Sequence, residues 1–450
     1  MSASRPLPFF GSYFELRRGL LPFFTRCARQ SDLSTVRVLG KKMYLVHHPD
    51  LIEEILVHRV SEFPKAFQFG HLALALGRGL LTSEGDLWLH ERRGVRPALL
   101  PDRIAEHIAV MQEEIDRALD ALPGGTLDIH QEMRRLSLRI VCRTLLGHDP
   151  ASFEDVVLEA VSEYVEGFER MLLDPLPTAR ILPRLVLVRS RRRLLGRMEA
   201  ILEQHRRCPG QEDLVDWLLQ AQAQQPNVVT DRQILDEMFT FLVAGHEPVA
   251  NALGWTFHLL AEHERVRAKV VAEVESVLGD RRAEAGDLPR LQYLDRVLKE
   301  SMRLYPPGWA STRTTRRAVR LGDVELPKNA NLAVIAYVTQ RDPRYFSRPE
   351  EFWPERWEPG RGEPRHKSAY LPYLIGPRTC VGKAFSLVES KLILTSVLQR
   401  FQLASVPGRR VEPQPSISLR PRGGVLLRLR HRQNRERTVE APFDSVSIRE

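Results

Sequence analysis

The sequence predicts a mainly α-helical fold with small β-sheets, and three observations carry that expectation. Long stretches repeat their apolar residues at helical spacing, above all Ile104 to Leu122, Ile129 to Leu146 and Ile234 to Leu260. Short β-branched or alternating runs, such as Thr35 to Val38 and Met43 to Val46, lie among them. One glycine-punctuated loop, Tyr-Leu-Ile-Gly-Pro-Arg-Thr-Cys-Val-Gly from Tyr373 to Gly382, leads directly into a helical run from Lys383 to Leu394.

Residues 1–30 form a proline-punctuated leading segment. It has no apolar run of membrane-spanning length, and Arg17, Arg18 and Arg26 interrupt it, so no membrane anchor is expected. The first two β runs flank Leu39-Gly40-Lys41, which predicts a hairpin. His48-Pro49-Asp50 opens a helix through Leu56, with proline in the first turn. From Phe63 to Glu84 the pattern weakens around glycines 70, 77 and 79. Trp88 and Arg92 stand four apart, so an indole N–H and a guanidinium share one helical face. That pair reads either as two anion donors or as an aromatic residue beside a surface arginine.

The run from Ile104 ends at Pro123-Gly124-Gly125, and a second begins at Ile129. A proline-rich interval from Asp174 to Pro183 separates two further helices. Arg189 and Arg191 to Arg193 read as a solvated helix face. The long run from Ile234 contains Ala244-Gly245-His246-Glu247-Pro248, with His246 expected beside a groove rather than as a metal ligand. Glu300 and Arg303 share a face of a helix that stops before Pro306-Pro307, so they are expected to pair. Strands are expected over Ala318–Leu326 and Leu332–Val338, a turn over Ser416–Leu419 and a returning strand over Gly423–Leu427. Residues 433–450 are polar and charged, and disorder is expected there.

The 450 residues, 43% of them hydrophobic, suffice for a large helical enzyme around one embedded cofactor. Cys27, Cys142, Cys208 and Cys380 show no paired or zinc-type spacing, which points to a reducing, cytoplasmic setting. The formal charge is +9, but the basic residues are dispersed among acids, and the chain lacks the basic patch that nucleic-acid binding needs.

Cys380 lies just before a helix N-terminus, where the dipole and unpaired N–H groups favour a thiolate. A lone cysteine in such a chain also reads as an inert thiol. The ten-residue pattern decides between them. It resembles F-x-x-G-x-R-x-C-x-G, the haem-binding loop of the cytochrome P450 family, with Tyr373 in place of phenylalanine. The resemblance covers about residues 30–430 and is closest to the soluble bacterial type. It implies that family's fold as a single domain over 31–432, with haem b (iron protoporphyrin IX) between the central long helix and the helix after the cysteine.

The resemblance also implies roles. Cys380 would be the axial iron ligand. Trp88, Arg92, Arg313 and Arg378 would meet propionates, and Gly376 and Gly382 would let the backbone approach the macrocycle beside Tyr373. Ala244-Gly245-His246-Glu247-Pro248 matches A-G-x-[D/E]-T, with Ala244 and Gly245 leaving room for dioxygen and Glu247 the acid of a proton path. Pro248 replaces the threonine whose hydroxyl would order a water. Either the carbonyl of Ala244, left without its i+4 donor, and Glu247 order that water, or the substrate supplies the path, or the proline merely kinks the helix. Arg356, in Phe352-Trp-Pro-Glu-Arg-Trp, would complete an ion network with Glu300 and Arg303. Gln340 stands for the histidine of H-R-D-P, a change expected to be minor. Trp309, Ala310, Ser311 and Ile417 are substrate-contact candidates.

The implied activity is insertion of one oxygen atom from O2 into a C–H bond of a lipophilic small molecule, a terpenoid or other natural-product intermediate, or a fatty acid. A separate ferredoxin or flavodoxin with its reductase would supply electrons to a monomer, docking near Arg93, Arg96 and Lys383. A peroxide-driven or oxidatively cyclising enzyme is the alternative within the family. A non-catalytic haem-based binding or sensing protein is the alternative outside catalysis.

Overall fold

The computed structural model describes residues 11–432 except 39, 67, 174–180, 227 and 362. Two short helices, α1 (Tyr13–Arg18) and α2 (Leu20–Gln30), bury Leu16, Phe23 and Phe24 against the first sheet. Strands β1 (Leu33–Val38) and β2 (Lys41–Val46) make the expected hairpin, with Val36 opposite Met43. Helix α3 (Pro49–Glu53) is capped by His48 Nδ1, which accepts from the Asp50 N–H, and it widens into a π turn over Glu54–His58.

Helix α4 (Gln68–Leu76) occupies part of the stretch read as irregular, with Gly70 in its first turn and Gly77 and Gly79 just beyond its end. Helix α5 (Gly85–Val95) carries Trp88 and Arg92. The run from Ile104 to Leu122 divides at His107 into α6 (Pro101–Glu106) and α7 (Ile108–Asp120). Gly125–Asp128 forms β3, and the Asp128 carboxylate then caps α8 (Ile129–Leu145) by accepting from the His130 and Gln131 N–H groups. Helices α9 (Glu154–Leu173) and α10 (Ile181–Arg207) match the two expected around the proline-rich interval, most of which lies outside the described residues.

After α11 (Leu214–Gln224) comes α12 (Asp231–Glu262), 32 residues long and opened by a capping box of Thr230 and Gln233. It is buried around most of its circumference and packs against α8, with Leu242, Leu253 and Phe257 in the main core. Helices α13 (Glu264–Leu278) and α14 (Gln292–Leu304) complete the helical layer on that side.

The strand expectations need correction in the next stretch. Strand β4 (Ser311–Thr314) is followed by two strands, β5 (Val319–Leu321) and β6 (Val324–Leu326), where one was expected, since Gly322 at φ +55° reverses the chain. The second expected strand stops early: β7 (Asn331–Val334) gives way to a helical turn, α15 (Ala336–Thr339). The first sheet runs β1-β2-β7-β4, with β2 and β7 parallel. Helix α16 (Lys383–Arg400) follows the cysteine loop and runs into β8 (Phe401–Ser405). Strands β9 (Pro413–Pro415) and β10 (Leu419–Pro421) bracket the expected turn, and β11 (Leu426–His431) joins β3 and β8. The expected tail, 433–450, lies outside the described residues.

Glu300, Arg303 and Arg356 meet as expected, all three fully buried. Arg303 grips both carboxylate oxygens of Glu300 at 2.9 Å, and Arg356 Nε donates to Glu300 Oε1 at 2.9 Å. Trp357 Nε1 and the Trp353 N–H also donate to Glu300, at 2.9 and 3.0 Å, and Glu363 takes the second charge of the group, 2.5 Å from Arg356. Removing one partner strands a buried charge, which costs about 3–5 kcal/mol. Arg356→Met is expected to lose stability on that scale, read as a lower denaturant midpoint, whereas the exposed Arg348→Met is expected to stay within about 0.5 kcal/mol.

Candidate active site

The cysteine loop is a tight turn held by its own backbone. The Cys380 N–H donates to the Tyr373 carbonyl at 3.0 Å, and the Thr379 N–H to that of Gly376 at 3.0 Å. Gly376, at φ +79°, lies against α3's π turn, where a Cβ would come 2.1 Å from the Leu56 carbonyl oxygen. Glycine is therefore required there by protein packing. Gly382 differs: a Cβ there would meet only Cys380 Sγ, at 4.0 Å. The hydroxyl that distinguishes Tyr373 from phenylalanine lies 3.0 Å from Ser386 Oγ on α16.

Cys380 corrects one expectation. The residue is exposed, yet the protein packed around the loop raises its thiol, and the Gly382 N–H, Arg92 and Lys383 only partly oppose that rise. A cation bound at this thiol would favour the thiolate.

The expected anion donors gather on this side of the molecule. The guanidiniums of Arg92 and Arg378 lie 5.6 and 5.4 Å from the Trp88 ring, and Arg92 feels the charge of Cys380. Arg313 on β4 donates to Ser311 Oγ and the Thr312 carbonyl, both at 2.8 Å. Burial, then repulsion from Arg378, lowers it to about 10. Arg378 makes a two-pronged pair with Glu84 at 2.6 and 2.8 Å, a partner the sequence did not suggest because 294 positions separate them. The Nε atoms of both Arg313 and Arg378 are buried and unpartnered. Buried N–H groups of that kind are costly unless an acceptor is supplied. Together with the thiol and the donor set, they fit a haem with its propionates.

On α12, Ala244 is exposed and Gly245 and Pro248 half-buried, although nearly everything around them is enclosed. The helix is continuous through Pro248. Glu247 does not share that stripe. Its Oε2 is paired with Arg134 of α8 at 3.2 Å, and Asn251 Nδ2 reaches Oε1 at 3.5 Å. Burial raises its carboxyl, but Arg134, His246 and His130 outweigh burial and hold it below the ordinary range. His246 is not beside the groove as expected. It is fully buried, with Nδ1 bonded to the Leu242 carbonyl and Nε2 4.0 Å from Glu247.

The substrate-contact candidates separate. Trp309 turns away, packing on Phe24 with ring centroids 6.3 Å apart and donating to the Ser416 carbonyl at 2.8 Å. Ala310 packs with the same cluster, and Ser311 is occupied by Arg313. Ile417 remains half-buried at the β9–β10 turn, against the main core. Gln340, expected to matter little, is fully buried. Its Nε2 donates to the Met302 and Arg303 carbonyls at 3.0 and 2.9 Å, and its Oε1 accepts from the Leu371 N–H at 2.7 Å.

The family model described as Cytochrome P450 matches residues 1–428. The chain is 32% identical to cyclooctatin synthase of Streptomyces melanosporofaciens over 425 residues, covering 92% of each chain. Cyclooctat-9-en-7-ol 5-monooxygenase of the same organism is 32% identical, with 90% of each covered. Pentalenene oxygenase of Streptomyces avermitilis is 29% identical, with 92% of this chain and 93% of that protein covered. In fold, the chain matches the crystal structure of the cytochrome P450DA heme domain with a TM-score of 0.85 at 24% identity, covering 96% of this chain and 98% of that one.

One buried carboxyl on α16 escaped the sequence reading because nothing near it in sequence marks it. Burial pushes Glu389 up to about 8 from 4.5, against a 2.6 Å hydrogen bond from Ser137 Oγ. The unfolded chain releases this proton near 4.5 and the folded one near 8, so the folded state binds more protons in between. Stability is therefore expected to fall as pH rises through that window. Glu389→Gln, which keeps the neutral form, is expected to flatten the fall in denaturant unfolding compared across about pH 5 to 8.

Proposed function

This chain belongs to the cytochrome P450 family, and from that premise we propose that it inserts one oxygen atom of O2 into a C–H bond of a terpenoid. It is a monooxygenase of that family; the terpenoid assignment is carried by its relatives. Three proteins that align over nine-tenths of its length are named for cyclooctatin, cyclooctat-9-en-7-ol and pentalenene.

A haem b bound here would supply the one-electron chemistry that reduces O2 and transfers an oxygen atom. Cys380 would hold its iron as a thiolate. Arg92, Arg313 and Arg378 would neutralise its propionates, with the two unpartnered Nε groups as donors. The small side chain of Ala244 leaves the α12 backbone approachable, whereas Gly245 lets Val141 of α8 pack close, 3.0 Å from where a Cβ would lie. Pro248 has no N–H, so the Ala244 carbonyl is free to accept from an ordered water. No helix of the described residues is long and apolar enough to cross a membrane.

Electrons would come from a separate acidic ferredoxin or flavodoxin docking where Arg93, Arg96 and Lys383 are exposed. Charge reversal at Arg96 and Lys383 is expected to slow reduction and to weaken its salt dependence in stopped-flow measurements. Unchanged kinetics would exclude this face. The substrate class is tested by optical titration of the ferric holoprotein with terpenoids and with long-chain fatty acids. A saturable low-spin to high-spin shift with terpenoids is expected, and a shift with fatty acids alone would overturn the assignment.

A further inference from the structure

Glu84 stands at the N-terminal boundary of α5, where a polar side chain usually caps the helix, yet it makes no capping bond there. Both of its carboxylate oxygens turn to other segments. Oε1 accepts from the Lys65 N–H at 2.6 Å and from Arg378 Nη1 at 2.8 Å. Oε2 accepts from Arg378 Nη2 at 2.6 Å.

These bonds join the three segments that carry the anion donors. Arg378 belongs to the cysteine loop. Lys65 forms an isolated antiparallel bridge with Arg313 of β4, and beside it the Thr314 N–H donates to the Pro64 carbonyl at 2.9 Å. Trp88 and Arg92 follow Glu84 along α5. The Lys65 ammonium fixes the approach to Glu84 as well, donating to the Leu80 and Ser83 carbonyls at 2.8 and 2.9 Å.

The two-pronged pair has a directional consequence. It engages both terminal nitrogens of Arg378 and leaves Nε buried and unpartnered. A guanidinium held in a carboxylate fork has one orientation, so Glu84 sets where that Nε N–H points. Glu84 also offsets the charge of Arg378. Arg313, by contrast, has no acid paired with it among the described residues, and its Nη1 is occupied by Ser311 Oγ and the Thr312 carbonyl.

We propose, on the reading that the protein holds haem b, that Glu84 is a positioning residue for the propionates. It touches neither iron nor substrate. It acts through Arg378, whose Nε it aims, and through Lys65, which ties the strand of Arg313 to the same carboxylate. The donors are thereby arranged before the cofactor arrives, and ordering them costs nothing on binding. Removing Glu84 has two opposed effects: Arg378 turns more cationic toward a propionate, and it loses the fork that directs it. The side chains of Arg378 and Glu84 are 11% and 28% exposed, so water screens the first effect, and the second dominates.

The test is the rate at which the ferric holoprotein releases its haem to excess apomyoglobin, followed optically. It is run with haem b and, after reconstitution, with the dimethyl ester of haem b, whose propionates carry no charge. With haem b, Glu84→Ala is expected to release about tenfold faster than the unsubstituted protein. Glu84→Gln, which keeps one acceptor oxygen, is expected to release about threefold faster. With the ester, the rates of all three proteins are expected to converge. Equal rates with haem b would overturn the proposal, and so would a difference that persists with the ester, since that marks a general loosening of the fold. Should Glu84→Ala not fold, Glu84→Gln carries the same comparison. A pyridine haemochrome spectrum without haem b would overturn the cofactor reading and the proposal with it. Failure to bind terpenoids would sink only the substrate assignment, because haem release uses no substrate.

Discussion

Both oxygens of Glu300 are occupied, in a place that no water reaches, and the geometry of the cysteine loop descends from that fact. Arg303, fixed by Glu300, donates to the Gln340 carbonyl at 2.9 Å. Gln340 in turn accepts from the Leu371 N–H, and the Leu371 carbonyl accepts from Leu374 at the start of the loop that presents Cys380. A buried ion group of this kind adds little net stability over an apolar equivalent, because desolvation consumes most of the Coulombic gain. What it supplies is direction: guanidinium donors in a fixed fork admit one arrangement of the carbonyls of Gln340, Pro349 and Glu351.

The same desolvation sorts the remaining ionisable groups. Glu247 keeps its charge because Arg134 meets it. Glu389, with only the Ser137 hydroxyl, keeps its proton instead, and the Cys380 thiol, though exposed, is raised above its ordinary value by the protein around it. A metal that binds such a thiol must displace its proton, so cofactor loading and deprotonation are one event. A loop that stabilised the thiolate by itself would leave a reactive nucleophile in the unloaded protein.

Local signals in the sequence were legible. The cysteine loop, the Glu300–Arg303 spacing, the first hairpin and the proline at the start of α3 are each decided within a few residues, and each lies where it was expected. Partners supplied from far along the chain were not legible. Glu84 for Arg378, Arg134 for Glu247 and Ser137 for Glu389 are acquired only when α8, α16 and the loop before α5 come together. Trp309 shows a third kind of difficulty. Its position in the motif made it a substrate-contact candidate, but which side of the chain faces the helices of the leading segment is set by Phe24 and Leu16, which no local pattern ties to it.

Pro248 brings these strands together. Within a helix interior, proline costs about 3 kcal/mol and leaves one carbonyl without its donor. Here α12 continues unbroken through it, held by burial on most sides and by ties such as Trp255 Nε1 to the Leu419 carbonyl at 3.1 Å. A helix so heavily anchored tolerates the lost bond without kinking apart. The unmatched carbonyl is that of Ala244, the most exposed residue of the stripe. Proline here thus exchanges a hydroxyl for an acceptor at an exposed position in the middle of α12.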